Sequence, residues 1–133
     1  MEEGEKYKIL VVDDNDDVRR LVKKVLEMSG HIVLEATMGQ EALEIVEEEI
    51  PDLILMDIRL PGELNGLETT RRIKEDPALA RVPIVALTAS VLERDRMQAL
   101  AAGCNGFIGK PIDISDLPGM VDTFITRGAA KPR

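Results

Sequence analysis

Short apolar runs alternate five times with longer segments of helical periodicity, and this alternation constrains the fold more than any other feature of the sequence. Apolar runs bounded by turn residues are typical of strands buried on both faces. Regular strand–helix alternation predicts a parallel sheet with helices on both faces, connected by right-handed crossovers. The predicted strands are YKILVVD, HIVLEA, DLILMD, VPIVALTA and NGFIGK. We therefore predict one α/β domain, a doubly wound (βα)5 sandwich.

Local signals place the helices and their ends. The first helix is predicted over NDDVRRLVKKVLEMSG, because apolar residues recur there on one helical stripe. Thr37 and Gln40 are spaced like a capping box at the start of the second helix. The fourth helix, SVLERDRMQALAAG, has only a weak apolar stripe. The last helix is predicted from Ile114 onward, with a first turn disturbed by Pro118-Gly119.

Polar and charged side chains stand at the carboxyl ends of four predicted strands. The first strand ends in Asp13-Asp14, the third in Asp57, the fourth in Thr88 and the fifth in Lys110. Each of these residues alone has a structural explanation, for example as a turn former or helix cap. In a doubly wound sheet, however, ligands bind in the crevice at the carboxyl ends of the strands. The joint pattern therefore predicts a functional site at this edge.

The residue types indicate which chemistry such a site would support. Three carboxylates held close together oppose one another's ionisation, and a hard divalent cation relieves that repulsion. Mg²⁺ prefers oxygen ligands and usually keeps coordination positions for water and phosphate oxygens. Lys110 can pair with a second phosphoryl oxygen and Thr88 can donate to a third, while one carboxylate acts as the nucleophile. The sequence thus predicts magnesium-dependent phosphoryl chemistry.

Composition excludes several other classes of protein. The net charge of −8 argues against nucleic acid as a direct partner and against binding to anionic membranes. Cys104 is the only cysteine, the start MEEGEKYK lacks a signal-peptide core, and no apolar run is long enough to cross a bilayer. We therefore expect a cytoplasmic protein. No glycine-rich dinucleotide or nucleoside-triphosphate motif is present.

Five segments together resemble the receiver domain of two-component response regulators. They are ILVVDDND, DLILMDIRLPG, NGLETTRRIK, PIVALTAS and AAGCNGFIGKPID. The resemblance implies a receiver domain over 7–127, with flexible termini at 1–6 and 128–133. It also implies a flavodoxin-like fold whose five-stranded sheet has the order 2-1-3-4-5.

The resemblance assigns roles to the strand-end residues. Asp57 matches the phosphoacceptor, which takes a phosphoryl group from a sensor histidine kinase or a histidine phosphotransfer protein. Asp13 and Asp14 match the acidic pair that binds Mg²⁺ together with Asp57. Arg59 stands where the family uses a backbone carbonyl as a metal ligand, and Lys110 matches the lysine that contacts the phosphoryl group.

The resemblance also implies a conformational switch. Thr88 and Phe107 match the hydroxyl and the aromatic residue that rearrange on activation, although Phe107 alternatively fits as a plain core residue. The implied output face comprises the fourth helix, the fifth strand and the fifth helix, which would bind a downstream protein or form a homodimer on phosphorylation. Lys110-Pro111 resembles the family's cis peptide. The loop LPGELNG is one residue longer than the usual form, and Ser90 and Arg59 lie where relatives tune loss of the phosphoryl group.

Two alternatives remain open at the level of sequence. A magnesium-dependent aspartyl phosphatase of the haloacid dehalogenase type also places an aspartate at a strand end, but it usually carries a second acid two residues on, where this chain has Arg59. A receiver that is never phosphorylated could serve as a constitutive docking domain. The first interpretation makes the chain a signalling module that assists only its own phosphorylation and dephosphorylation, and hence not an enzyme.

Overall fold

The computed structural model describes residues 6–130, without the side chains of 128–130. The strands are β1 (Lys8–Val12), β2 (Ile32–Ala36), β3 (Leu53–Asp57), β4 (Ile84–Thr88) and β5 (Gly106–Gly109). The helices are α1 (Asp16–Met28), α2 (Gly39–Glu48), α3 (Gly66–Glu75), α4 (Glu93–Ala102) and α5 (Leu117–Ala130). Most of the termini predicted to be flexible, namely 1–5 and 131–133, lie outside the described residues.

The five strands form one parallel sheet in the order β2-β1-β3-β4-β5. Strand registers are regular, with Val12 opposite both Ala36 and Met56, and Thr88 opposite Gly109. The sheet therefore ends along one edge, where β1, β3, β4 and β5 deliver the side chains predicted to form the site. The predicted doubly wound fold and its strand order are confirmed.

Alternate residues of the buried strands supply two separate cores. On one side, the odd-numbered β1 residues Ile9 and Val11 pack with α1 and α5. On the other side, Leu10 and Val12 pack with α2, α3 and α4. β1, β3 and β4 are apolar at nearly every position because both of their faces are covered. Among the described residues, no helix combines the length and apolar character needed to span a membrane.

Three local predictions about the helices were wrong. Gln40 does not close a capping box. Instead, the Glu41 carboxylate accepts hydrogen bonds from the amide and the hydroxyl of Thr37, one residue farther along than the capping-box spacing. Helix α4 begins at Glu93 rather than at the serine of SVLER.

Helix α5 begins at Leu117, so Ile114 lies before it. Pro118 is then in the first turn, where its missing N–H leaves no intrahelical hydrogen bond unmade, and the helix continues through Pro118-Gly119.

Candidate functional site

Three carboxylates meet at the carboxyl edge of the sheet. Asp13, Asp14 and Asp57 each offer an oxygen, and these oxygens all lie within 4.8 Å of one another. The side chains of Asp13 and Asp57 are buried, while Asp14 is exposed to solvent. A cluster with two buried acids and one open side suits a hard cation that retains part of its water shell. The donor set therefore fits Mg²⁺.

Lys110 joins two of these carboxylates from the end of β5. Its Nζ lies 2.8 Å from Asp13 Oδ2 and 3.5 Å from Asp57 Oδ2. Burial opposes the ammonium charge, but the two carboxylates outweigh burial and raise the pKa of Lys110. The lysine is therefore a fixed positive charge beside the Asp57 carboxylate. The peptide that links it to Pro111 is cis, as the resemblance implied.

The Asp57 carboxylate accepts a hydrogen bond from one backbone amide, and its surroundings disfavour its ionised form. Its Oδ1 accepts a hydrogen bond from the amide of Arg59 at 2.9 Å. Burial raises the pKa of Asp57, the Arg59 amide lowers it, and the charge of Asp13 raises it again, so the net direction is upward. Because the ionised form of Asp57 is disfavoured in this way, its neutralisation by a cation or by a covalent bond lowers the free energy of the site.

Gly66 brings the start of α3 against the backbone of Asp57. A Cβ at Gly66 would lie 2.1 Å from the Asp57 carbonyl oxygen. The Gly66 amide donates a hydrogen bond to the Ile58 carbonyl at 3.3 Å. The Asn65 side chain caps α3 by accepting from the amide of Glu68. The loop that the resemblance marked as longer thus returns directly onto the backbone of Asp57. The sequence interpretation did not identify Gly66 as a site residue.

The turn between β1 and α1 carries the acidic pair. Asp13 Oδ1 accepts from the amide of Asn15 at 2.9 Å, and the Asn15 side chain in turn caps α1 by accepting from the amide of Val18. Arg19 reaches back from the first turn of α1 and donates to the Asp13 carbonyl at 2.8 Å. Neither Asn15 nor Arg19 was a predicted site residue. Their spacing after an acidic strand end is the only sequence signal for them.

Thr88 lies at the end of β4, beside the acidic cluster, and leads toward α4. Its Oγ1 accepts a hydrogen bond from the Ser90 amide at 2.9 Å, which leaves the hydroxyl proton free to donate elsewhere. Ser90 donates its own hydroxyl to Asp95 and accepts from the Leu92 amide. The Thr88 hydroxyl is thus tied through Ser90 to the first turn of α4.

Phe107 is half-buried on β5 rather than sealed in the core. The guanidinium of Arg96 lies over its ring, 5.1 Å from the ring centroid. A narrow gap, in which a water molecule does not fit, separates this pair from the end of β4. The gap is lined by Ile58, Thr88, Ser90, Asp95, Arg96 and Phe107. The ring is therefore half-exposed, covered by Arg96 on one face and bordered by this gap.

Comparison with known proteins decides the family. The family described as "Response regulator receiver domain" matches residues 9–122. The chain belongs to the response regulator receiver family. As a receiver domain, it also resembles the polar-differentiation response regulator DivK of Brucella ovis, with 37% identity over 116 residues, which cover 87% of this chain and 91% of DivK.

Solved receiver structures share the fold. The receiver domain of the sensor histidine kinase PA1611 from Pseudomonas aeruginosa superposes with a TM-score of 0.84 and 35% identity, over 92% of this chain and all of that chain. That structure has a magnesium ion coordinated in its active-site cleft. The chemotaxis response regulator CheY4 of Vibrio cholerae gives a TM-score of 0.85 and 26% identity, over 90% of this chain and 99% of CheY4.

The structure brings most of the predicted site residues of this receiver together. Asp13, Asp14, Asp57 and Lys110 form one cluster. Thr88 lies at the neighbouring strand end, and Phe107 is on β5 beyond the narrow gap. The Arg59 side chain is exposed, and its contact with the cluster is through its backbone.

Proposed function

We propose that this receiver is a phosphoacceptor, and that Asp57 takes a phosphoryl group from a sensor histidine kinase or a histidine phosphotransfer protein in a magnesium-dependent reaction. The observation that supports this proposal best is the cluster of Asp13, Asp14 and Asp57 oxygens within 4.8 Å, with the Lys110 ammonium beside it. A purely structural role gives no reason to place three carboxylates so close together.

The proposed metal ligands are the Asp13, Asp14 and Asp57 carboxylates and the backbone carbonyl of Arg59. When bound, Mg²⁺ would neutralise these carboxylates and the phosphoryl oxygens, and so lower the electrostatic barrier to the approach of one anion to another. The proposal rests on the donor set and on the resemblance to receivers, including one that holds magnesium in its cleft.

In the proposed transfer, an Asp57 carboxylate oxygen forms a bond to phosphorus while the bond from phosphorus to the donor's imidazole nitrogen breaks. The imidazole leaves with the electron pair of that bond. Lys110, 3.5 Å from Asp57 Oδ2, is placed to pair with an oxygen of the transferred group. Thr88 can donate its hydroxyl proton to another phosphoryl oxygen. The Thr88 oxygen accepts a hydrogen bond from the Ser90 amide, and this bond does not use the hydroxyl proton.

We further propose that phosphorylation changes the α4 side of the receiver. Movement of Thr88 toward the phosphoryl group would alter its link through Ser90 to α4, and Phe107 would turn inward to occupy the space that Thr88 vacates. The face formed by α4, β5 and α5 would then favour a downstream protein or a second copy of the chain. A ligand shifts such an equilibrium only by its differential affinity for the two states.

On this proposal the chain is not an enzyme acting on separate substrates. An aspartyl phosphatase would require an acid near Asp57 to protonate the leaving group, and the second residue beyond it is the exposed Arg59. The proposed partners are proteins, with no direct role for nucleic acid or membrane, and the proposed location is the cytoplasm.

Intact-mass spectrometry tests the proposal directly. The protein is incubated with acetyl phosphate and Mg²⁺, beside Asp57→Asn and a sample with chelator in place of metal. We expect one phosphoryl adduct in the wild type, with none in the mutant and none without metal. The conservative mutant keeps the shape of the side chain and removes the nucleophilic carboxylate.

The absence of an adduct in the wild type would be followed by addition of beryllofluoride, which mimics a stable aspartyl phosphate. A spectral change would indicate a phosphoryl group lost too quickly to trap. No change would contradict the proposal and favour the constitutive docking domain. Multiple-turnover release of phosphate from small phosphomonoesters would instead favour the phosphatase.

A further inference from the structure

Arg19 is a nearly buried arginine directly behind the acidic cluster. Only 13% of its side chain is exposed, and its guanidinium contacts three acceptors. It donates to the carbonyl oxygen of Asp13 at 2.8 Å, to Asp16 at 2.6 Å and to Glu35 on β2 at 3.2 Å. An arginine whose planar fork is satisfied on three sides is fixed in position.

The contact with the Asp13 carbonyl has a specific geometric consequence. That carbonyl and the amide of Asp14 belong to the same planar peptide unit, so holding one fixes the orientation of the other. Two other contacts hold this turn: the Asp13 amide donates to the Ala36 carbonyl, and the Asn15 amide, which belongs to the peptide after Asp14, donates to the Asp13 side chain. Among these contacts, that of Arg19 holds the peptide that joins Asp13 to Asp14.

Asp14 depends on that direction more than its neighbours do. Its side chain is exposed, and among the described residues it makes no hydrogen bond or ion pair. Asp13 and Asp57, by contrast, are buried and have partners of their own. The position of the Asp14 carboxylate is therefore set by its backbone, in which Arg19 holds the preceding peptide and the Asn15 amide holds the following one.

The charge of Arg19 is already compensated. Asp16 and Glu35 both pair with it, and Lys23 also pairs with Glu35 at 3.2 Å. A bare cation at this place would repel a metal ion. The arrangement suits a residue that contributes geometry rather than charge to the site.

We propose that Arg19 is a positioning residue for divalent-cation binding, which acts by fixing the Asp13–Asp14 peptide and hence the Asp14 carboxylate. This inference rests on the proposed function, since it deepens the account of the same metal site. Contacts of this kind, one step removed from a metal, typically change affinity by about 10- to 100-fold when they are removed.

The two possible roles of Arg19 predict opposite results. If Arg19 acted only through its charge, Arg19→Gln would remove a nearby cation and strengthen Mg²⁺ binding. If it positions Asp14, Arg19→Gln should weaken binding by about tenfold. Arg19→Lys keeps the charge but cannot reach all three acceptors with one ammonium, so it should weaken binding as well.

The matched control is Arg20→Gln. Arg20 is the next residue on α1 and pairs with Asp17 as Arg19 pairs with Asp16, but its side chain is 73% exposed and contacts no part of the site. Its loss removes the same charge from the same helix. We expect its Mg²⁺ affinity to stay within about twofold of the wild type, the range of a screened surface charge.

Mg²⁺ affinity is measured by titration, following the backbone amide resonances of Asp14 and Asp57 by NMR. In the metal-free protein, relaxation of the Asp14 amide gives a second readout. It should show increased motion in Arg19→Gln and not in Arg20→Gln. Thermal unfolding identifies any variant that is not folded. If Arg19→Gln does not fold, Arg19→Lys is compared with the wild type and with Arg20→Gln instead.

The outcomes separate this inference from the proposed function. Wild-type affinity with an unchanged Asp14 amide in both folded Arg19 variants would overturn the positioning role alone, and so would tighter binding in Arg19→Gln. No Mg²⁺ binding by the wild-type protein would overturn the proposed metal site, and with it the role of Arg19. Weakened binding with a mobile Asp14 amide would support both.

Discussion

Two corners of the site are built in contrasting ways. At the β1–α1 corner, residues 13–19, short polar contacts hold Asp13 and the turn after it, and α1 buries Val22 and Leu26. At the α4 corner, residues 88–96, the helix has no side-chain cap and buries only Ala99 and Ala102. Val91 there is 84% exposed.

The difference suggests a division of labour within the receiver. Binding a cation and a phosphoryl group requires carboxylates that stay in place, because misplacement by even an ångström weakens catalysis. Responding to that group requires a segment whose alternative arrangement differs little in free energy. On the proposed function, the acidic cluster at the ends of β1 and β3 meets the first requirement, and α4, which buries only two residues, meets the second.

Gly66→Ala should show the largest effect, because it introduces a side chain at the tight side of the site. The new Cβ would meet the Asp57 carbonyl at 2.1 Å, and backbone cannot move aside as a side chain can. We expect a loss of about 3 kcal/mol in the free energy of unfolding, the upper range for overpacking. Denaturant titration measures it.

Gly109→Ala is the control for that substitution. Gly109 lies at the end of β5, and a Cβ there would meet nothing within 4 Å. Its effect should be within about 0.5 kcal/mol of zero. Equal effects of the two substitutions would contradict the contrast between the close-packed β3–α3 corner and the open end of β5.

Asp57→Asn should reveal the cost of crowding carboxylates in the acidic cluster of Asp13, Asp14 and Asp57. Because the pKa of Asp57 is raised in the folded protein, its contribution to stability is present below its unfolded pKa and is lost as pH rises through the folded value. The asparagine side chain does not ionise, so the mutant does not lose stability in this way as the pH rises. Without metal, it should be more stable at pH 7 by about 1 kcal/mol, a typical single-residue effect.

The same measurement repeated at pH 3 should show a smaller difference, since Asp57 is then protonated in both states. Thermal or urea unfolding at both pH values tests this. A mutant that was less stable than the wild type at pH 7 would mean that the Asp57 carboxylate stabilises the metal-free fold, contrary to the direction of its pKa.

Removing the cap of α1 and adding one to α4 should reduce the difference in local stability between the two corners. Asn15→Ala removes the acceptor for the Val18 amide and should destabilise the protein by about 1 kcal/mol. Leu92→Asn introduces an acceptor at the uncapped start of α4, where the backbone is already extended, and should stabilise it by about 0.5 kcal/mol. Chemical denaturation of both variants would detect these changes, and a loss in Leu92→Asn would show that α4 lacks the assumed cap geometry.

Arg96→Gln should give the smallest change in stability and a measurable change in the proposed switch. The contact between the guanidinium and the Phe107 ring is worth about 0.5 kcal/mol at an exposed site. Its loss should change the equilibrium between ring positions by about twofold, observed in the Phe107 ring resonances with and without beryllofluoride. Identical spectra for mutant and wild type would exclude Arg96 as a restraint on the ring.

The sequence predicted the doubly wound fold and the edge at which the strand-end residues meet because both follow from periodicity, whereas the strand order and the roles of those residues were implied by the resemblance. Buried parallel strands are apolar at every position, and residues at their carboxyl ends must meet at one edge, so Asp57 and Lys110 could be placed together without a structure. Gly66 and Arg19 could not be found in this way. Their roles depend on a close backbone approach and on a side chain that folds back on the preceding turn.

The errors at helix ends have a similar origin. Thr37 and Gln40 matched a spacing rule, but the strand-to-helix turn positioned Glu41 to bond Thr37 instead. Pro118 suggested a disturbed helix only because the start of α5 was placed too early. Side-chain spacing alone does not determine where a helix begins, since the turn before it sets the first residue.

Because of the order of strands in the sheet, the site also forms only when the sheet is complete. β1, β3 and β5 supply Asp13, Asp57 and Lys110 from widely separated parts of the chain, and β3 and β4 lie between the outer contributors. A nascent or partly unfolded chain carries these residues as isolated charges with no common cleft. Competence to receive a signal and completion of the sheet would then coincide, so an immature copy could neither sequester phosphoryl groups nor send a false response.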